Sequence, residues 1–242
     1  MIKRPFSSWS GKRGKSKILI ITPTRQRYKR AKEMIAAWDK CTSGKSEIVF
    51  YVDDDDPQLK QYQTLVRDKI RLTVGKNLGM NGSYNYLFDS NPDYEFYAPF
   101  DDDQHVRTPG WEDIAIAKLE QHNNWGLVYG DDLFQHEGIA SAPILSGKMM
   151  RGLGWIGLPG LEHMYCDNVW MDVARACDGL FYMPEIIIEH MHFWNGKAEK
   201  DETYELSNNQ GVYDHDRVIY EKWKAEELPA IAVKLKKLMK NV

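Results

Sequence analysis

Apolar and polar positions divide the chain into alternating short runs. KILIIT over 17–22 is continuously apolar, as expected of a strand buried on both faces of a parallel sheet, and Pro23 ends it. Ala31, Met34, Ile35 and Trp38 then recur at helical spacing within 27–38. The same alternation continues with strands over 46–52 and 70–74 around a helix over 58–66. A Gly/Asn loop over 76–83 opens a helix that runs through Leu87 and Phe88. A fourth strand covers 94–100, a helix follows Pro109 and Gly110 over 111–122, and a fifth strand covers 126–129. Strands alternating with helices predict an α/β domain with a largely parallel sheet. From about 131 the pattern loosens into the loops APILSG and RGLGWIGLPG, followed by a helix over 167–176, a strand over 181–190 and a helical end from Asp214. No internal repeat is visible.

Composition narrows this picture only a little. The 242 residues, 43% hydrophobic and 28% charged, suit one well-buried domain, or one domain with an appendage. The formal charge of −3 excludes a global pull toward nucleic acid or anionic membrane, although basic residues crowd both ends. Residues 1–16, rich in Ser, Gly and Lys, read as a mobile basic arm; Lys234, Lys236, Lys237 and Lys240 crowd the other end. Cys41, Cys166 and Cys177 form neither a CxxC pair nor a disulfide framework, which predicts a reduced, cytoplasmic setting. The basic start lacks the apolar core of a signal peptide, and no apolar run reaches the roughly 18 residues of a membrane span.

Two acid clusters carry the chemical signal. YVDDDDP over 51–57 and FDDDQ over 100–104 each follow a strand at its carboxyl end, where open α/β sheets bind ligands. So many carboxylates on one rim repel one another unless cations or hydrogen-bond donors offset them. Hard divalent cations prefer carboxylate oxygens and share them with substrate phosphates, which predicts a metal site that binds a diphosphate. The first cluster suits a nucleoside, and the second, with Asp101 and Asp103 bracketing Asp102, suits the metal. Gly152, Gly154 and Gly157 spell GxGxxG, but no buried strand precedes them, so the dinucleotide fingerprint fails on context. Trp155 and its glycines fit a ligand-stacking loop and a turn packed on the core equally well.

The order of these pieces resembles the GT-A-fold glycosyltransferases of the family-2-like kind, from about Lys17 to Trp194. The matching stretches are Thr22-Pro23-Thr24-Arg25 after the first strand, Val52-Asp53-Asp54 after the second, and Lys76-Asn77-Leu78-Gly79 in the loop. The DxD motif matches Asp101-Asp102-Asp103, the base helix Cys166-Asp167, and the late metal ligand His190. The resemblance implies a Rossmann-like, mostly parallel sheet flanked by helices with a looser acceptor-side C-terminal region. Its implied boundaries are a nucleotide-binding half over about 17–130, an acceptor half over 131–212 and a helical tail over 213–242. It implies a UDP- or GDP-sugar donor held by Thr22, Thr24, Arg25, Asp53, Asp54, Lys76, Asn77, Gly79, Asp101, Asp102 and Lys197. Mn²⁺ or Mg²⁺ would sit on Asp101, Asp103 and His190.

Asp167 is the preferred base, taking the proton of an acceptor hydroxyl during an inverting displacement, with Asp172 and Glu162 competing for the role. The runs of acids leave the register of each motif open by one position. His190 and His192 alternate along a predicted strand and so point to opposite faces, which leaves room for only one as ligand. The acceptor stays open between a saccharide, a lipid-linked glycan and a modified nucleic-acid base. Two other functions fit the same acids: a nucleotidyltransferase acting on a sugar phosphate, and a non-catalytic nucleotide- or sugar-binding module. The first expects a glycine-rich phosphate loop after the first strand, and TPTRQRYKR has the bases without the glycine.

Overall fold

A computed structural model describes residues 16–240. Residues 1–16, expected to form a mobile basic arm, lie outside the described residues, Ser16 apart. The first half alternates strand and helix: β1 (Ile18–Pro23), α1 (Tyr28–Cys41), β2 (Ser46–Asp53), α2 (Leu59–Gln63), β3 (Ile70–Gly75), α3 (Gly79–Ser90) and β4 (Phe96–Pro99). Then come β5 (Gln104–Val106), α4 (Trp111–Glu120), β6 (Leu127–Asp131), β7 (Ile144–Ser146), α5 (Gly147–Leu153), α6 (Cys166–Ala176) and β8 (Leu180–His190). Three helices close the chain: α7 (Glu202–Ser207), α8 (Gln210–Glu226) and α9 (Leu228–Lys240).

The strands form one sheet in the order β3-β2-β1-β4-β7-β6-β8-β5. Pairing is parallel from β3 through β4 and between β6 and β8; β7 runs antiparallel to β4 and β6, and β5 antiparallel to β8. Alternate residues of β1 feed two cores. Ile18 and Ile20 pack with Met34 and Trp38 of α1 and with Trp111 and Leu119 of α4. Leu19 and Ile21 pack on the other side with Leu87 of α3, Met149 of α5 and Val169 of α6. Both faces of β1 are buried, which is why its sequence reads as an unbroken apolar run.

Four short elements depart from the sequence-based expectation, among them α7, which precedes the helical end expected from Asp214. β5 and β7, three residues each, are too short to show a period. α5 lies where glycines suggested a loop; Ser146 caps it by accepting the Met149 N–H, and Gly154 ends it with φ of 101°. In the helical tail, Leu235 of α9 and Trp223 of α8 are buried in the core that holds α5 and α6. Among the described residues no helix is long and apolar enough to cross a membrane.

A candidate site at the switch point of the sheet

β2 and β4 lie on opposite sides of β1, so the strand order reverses beside β1 and a crevice opens beyond the carboxyl ends. A cavity of about 790 Å³ fills it. Its wall includes Thr24, Arg25, Asp53, Asn77, Gly79, Asp101, Asp102, Asp103, Asp167 and His190. Four other expected site residues lie off the wall. Thr22 is fully buried within β1. Asp54 and Lys76 pair with each other at 2.8 Å, and Lys197 pairs with Glu189 at 2.6 Å.

The first acid cluster is answered by the protein's own groups. Arg25 bonds Asp53 at 2.8 Å and Asp55 at 2.5 Å. Asp56 accepts the backbone N–H groups of Gln26 and Gln58, each at 2.7 Å. The repulsion that suggested a cation at this end of the rim is therefore met without one, and Arg25 is engaged by carboxylates.

The second cluster is held from several sides. Thr24 Oγ1 donates to Asp102 at 2.6 Å, and Arg27 reaches the same carboxylate at 3.3 Å. Burial outweighs Arg27 and pushes Asp102 up to about 7. Tyr84 Oη donates to Asp101 at 3.0 Å, while burial and the neighbouring charge of Asp103 raise Asp101. Asp103 behaves differently. Burial opposes its charge, but His190, Tyr204 and Arg27 together hold it well below the usual carboxylate range. Tyr204 Oη donates to Asp103 Oδ2 at 2.5 Å, and Arg30 stands 3.5 Å from the same oxygen.

His190 reaches Asp103 through strand register. Gln104 pairs with His190 across β5 and β8, and the Met191 N–H donates to the Asp103 carbonyl at 2.8 Å. His190 Nε2 comes within 3.4 Å of Asp103 Oδ1. The expectation that His190 and His192 face opposite ways does not hold. β8 ends at His190, the alternation stops there, and the two rings lie 5.0 Å apart on one cavity wall.

Asp167 stands in the first turn of α6 and faces the cavity. Burial, then the charge of Asp101, pushes its carboxyl up to about 7. Asp172, a competing candidate, is turned away: it accepts from Tyr220 at 2.6 Å and pairs with Lys224 at 2.8 Å. Glu162 remains on the wall. The glycine-rich segment serves packing rather than a ligand. Asn85 Oδ1 accepts the N–H groups of Ile156 and Gly157, each at 2.9 Å. A Cβ on Gly157 would lie 2.4 Å from Asn81 Oδ1, and Trp155 packs edge-on against Trp223.

Sequence reasoning missed the closure over the acids. Residues 199–204 lie against the start of α1, where Arg27, at the N-cap, bonds Asp201 through Nε at 3.0 Å and Nη2 at 2.7 Å and stacks 4.1 Å from the Tyr204 ring centroid. Arg30 donates to the Tyr204 hydroxyl and to the Glu199 carbonyl. The i, i+3 spacing of Arg27 and Arg30 was the available signal, since it places both on one helix face.

The fit of this donor set to a divalent cation is a sparse one. Among the described residues, no group of three or more His, Cys, Asp or Glu has the geometry to hold a metal ion. There is instead a buried pair, Asp103 and His190, whose Oδ1 and Nδ1 atoms have no hydrogen-bond partner. Two protein ligands with an unsatisfied oxygen suit an ion that keeps most of its coordination for phosphate and water.

No family model matches the chain, and no curated protein matches it. Solved structures do. S. aureus TarS 1–349 in complex with UDP-GlcNAc has a TM-score of 0.62 at 16% identity, covering 92% of this chain and 71% of that one. The mannosyltransferase PcManGT from Pyrobaculum calidifontis, in complex with GDP-Man and Mn²⁺, has a TM-score of 0.56 at 11% identity, covering 92% and 73%. A longer TarS chain matches at a TM-score of 0.58 and 15% identity over 71% of this chain, which spans only 36% of that one. The chain spans 59% of TarS 1–349 in the complex with UDP. The architecture is thus a GT-A-like glycosyltransferase fold.

Proposed function

On the premise of that fold, we propose that the protein is a glycosyltransferase that moves a sugar from a nucleotide-sugar to an acceptor hydroxyl with inversion. The observation that carries the reading is the meeting of Asp101–Asp103, His190 and Asp167 in one cavity at the switch point. The matched TarS and PcManGT structures hold UDP-GlcNAc and GDP-Man with Mn²⁺, which supports a nucleotide-sugar as donor.

Asp53, Asn77 and Gly79 lie on the wall with Thr24, on the side of β1 and β2, and receive the nucleoside. Asp103 and His190, with Asp101 beside them, would hold Mn²⁺ or Mg²⁺, which when bound supplies positive charge against the departing diphosphate. The need for such charge follows from the wall itself, where carboxylates far outnumber Arg25 and Arg27. Asp167 accepts the proton of the acceptor hydroxyl, and its position near neutrality suits a base at physiological pH. Three free, buried cysteines accord with a reducing, cytoplasmic setting.

Thermal shift against nucleoside diphosphates and nucleotide-sugars, with and without Mn²⁺, tests this reading. A ligand at a hundred times its dissociation constant adds about 2.7 kcal/mol, so a metal-dependent rise is expected for UDP or GDP. No response to any of them would remove the proposal.

A further inference from the structure

α8 carries a fully buried acid, Asp216, whose carboxylate faces the loop before α6. Its Oδ1 accepts the Glu162 N–H at 2.9 Å, and its Oδ2 accepts those of His163 at 2.8 Å and Met164 at 2.7 Å. His215 Nδ1 lies 2.8 Å from Oδ1. Three consecutive backbone donors converging on one carboxylate fix a tight curve in the chain. Charge-assisted bonds of this kind are roughly twice as strong as neutral ones.

The curve leads directly to the cavity. Tyr165, next in sequence, is held in the left-handed region at φ of 66° and stacks on Tyr220 of α8, with ring centroids 4.9 Å apart. Asp167 follows in the first turn of α6. Upstream, Asn81 of α3 holds the Leu161 carbonyl at 3.0 Å. Asp216 therefore fixes the backbone between an anchor on α3 and the start of the base helix. The helix it sits on has other anchors, since Tyr220 and Trp223 are also buried.

We infer that Asp216 is a positioning residue for the transfer reaction, holding residues 162–164 so that Asp167 and the neighbouring wall meet the acceptor. This rests on the glycosyltransferase reading and deepens it. Loss of the carboxylate leaves backbone donors unsatisfied and misplaces the base, while the nucleoside end, built on β1, β2 and α3, stays intact. Asn is the informative replacement, because it keeps one acceptor oxygen and turns the other into an NH2 donor that must face a backbone N–H.

Hydrogen exchange and steady-state kinetics on Asp216→Asn test the inference. In the wild type, the amides of residues 162–164 are expected to be protected; in the variant they exchange at least about tenfold faster while β1 and β4 are unchanged. The kcat for transfer falls about 10- to 100-fold, with the donor KM within about twofold. A merely structural role would lower the melting temperature and leave kcat unchanged below it. An unchanged kcat, or a donor KM that rises with the loss of kcat, overturns the inference. His215→Ala, which removes one of the four contacts, is the milder variant should Asp216→Asn fail to fold; it lowers kcat several-fold with the donor KM unchanged, and a wild-type kcat there counts against us. Exchange of the 162–164 amides at open-loop rates in the folded wild type also overturns it. Exchange needs no turnover, so a wild type without transferase activity removes the catalytic reading while the clamp stands or falls on its own amides.

Discussion

Replacing Asp167 by Asn removes a proton acceptor with almost no change in size, and the structure sets the size of two effects. The first is kinetic. A base must be ionised, so with its carboxyl at about 7 the wild-type kcat should fall tenfold per pH unit below that value. Asn abolishes this acid limb and lowers kcat by about 10²–10⁴. The second effect is on stability and has the opposite sign. The carboxyl is raised in the folded state from about 3.9 when unfolded, so the folded chain binds the extra proton between those values. Its contribution is complete below about pH 4 and is lost as pH rises through about 7. Three pH units correspond to a ceiling of about 4 kcal/mol, which the partial opening to the cavity reduces to about 1–2 kcal/mol. Asp167→Asn should therefore be more stable than the wild type at pH 8 and nearly equal to it at pH 4. The assays are product formation at saturating donor across pH 5–9 and urea unfolding at pH 4 and pH 8. Turnover within a few-fold of wild type, or an acid limb near 7 that persists in the Asp167→Asn variant, refutes the assignment of the base.

Other expectations follow from other parts of the molecule. Glu112 is fully buried and accepts from Thr42 Oγ1 at 2.5 Å, the Ser43 N–H at 2.9 Å and Ser46 Oγ at 2.7 Å, so Glu112→Ala should cost about 3 kcal/mol in chemical unfolding. Gly157→Ala drives a methyl into Asn81 and should cost about 1–3 kcal/mol with a loss of transfer; wild-type stability there would show that the loop yields freely. Tyr204→Phe removes the hydroxyl that bonds Asp103 and should tighten Mn²⁺ binding a few-fold by calorimetry, whereas weaker binding would mean that the hydroxyl supports the ion.

The first half of the fold was legible because β1, β2 and β4 are buried on both faces and α1 carries a full apolar stripe. β7 and β5 were not, since three residues establish no period. α5 had a readable signal in Ser146, a capping residue followed by Gly-Lys-Met-Met, which the nearby glycines obscured. The acid clusters marked the right edge of the sheet, but their partners could not be read, because Arg27 meets Asp201 across a sequence separation of 174. Asp216 did leave a trace. It sits at i−4 from Tyr220 and i−7 from Trp223, an acid on the apolar stripe of its helix, which is a poor place for a solvated charge. The two histidines misled for the reverse reason, since alternation was carried past the last residue of the strand.

The closure of residues 199–204 against the start of α1 has a thermodynamic consequence. Arg27 pairs with Asp102, and Arg30 and the Tyr204 hydroxyl engage Asp103, so a ligand that takes up these acids enters by exchange of partners. Its apparent affinity is the intrinsic one scaled by the fraction of molecules whose acids are free. Were about one molecule in a hundred so disposed, the measured dissociation constant would be about a hundredfold weaker than the intrinsic one. Substitutions at Asp201, which bonds Arg27 on the wall of the same cavity, then act as a gain control on donor affinity, set by the strength of a contact within the protein itself.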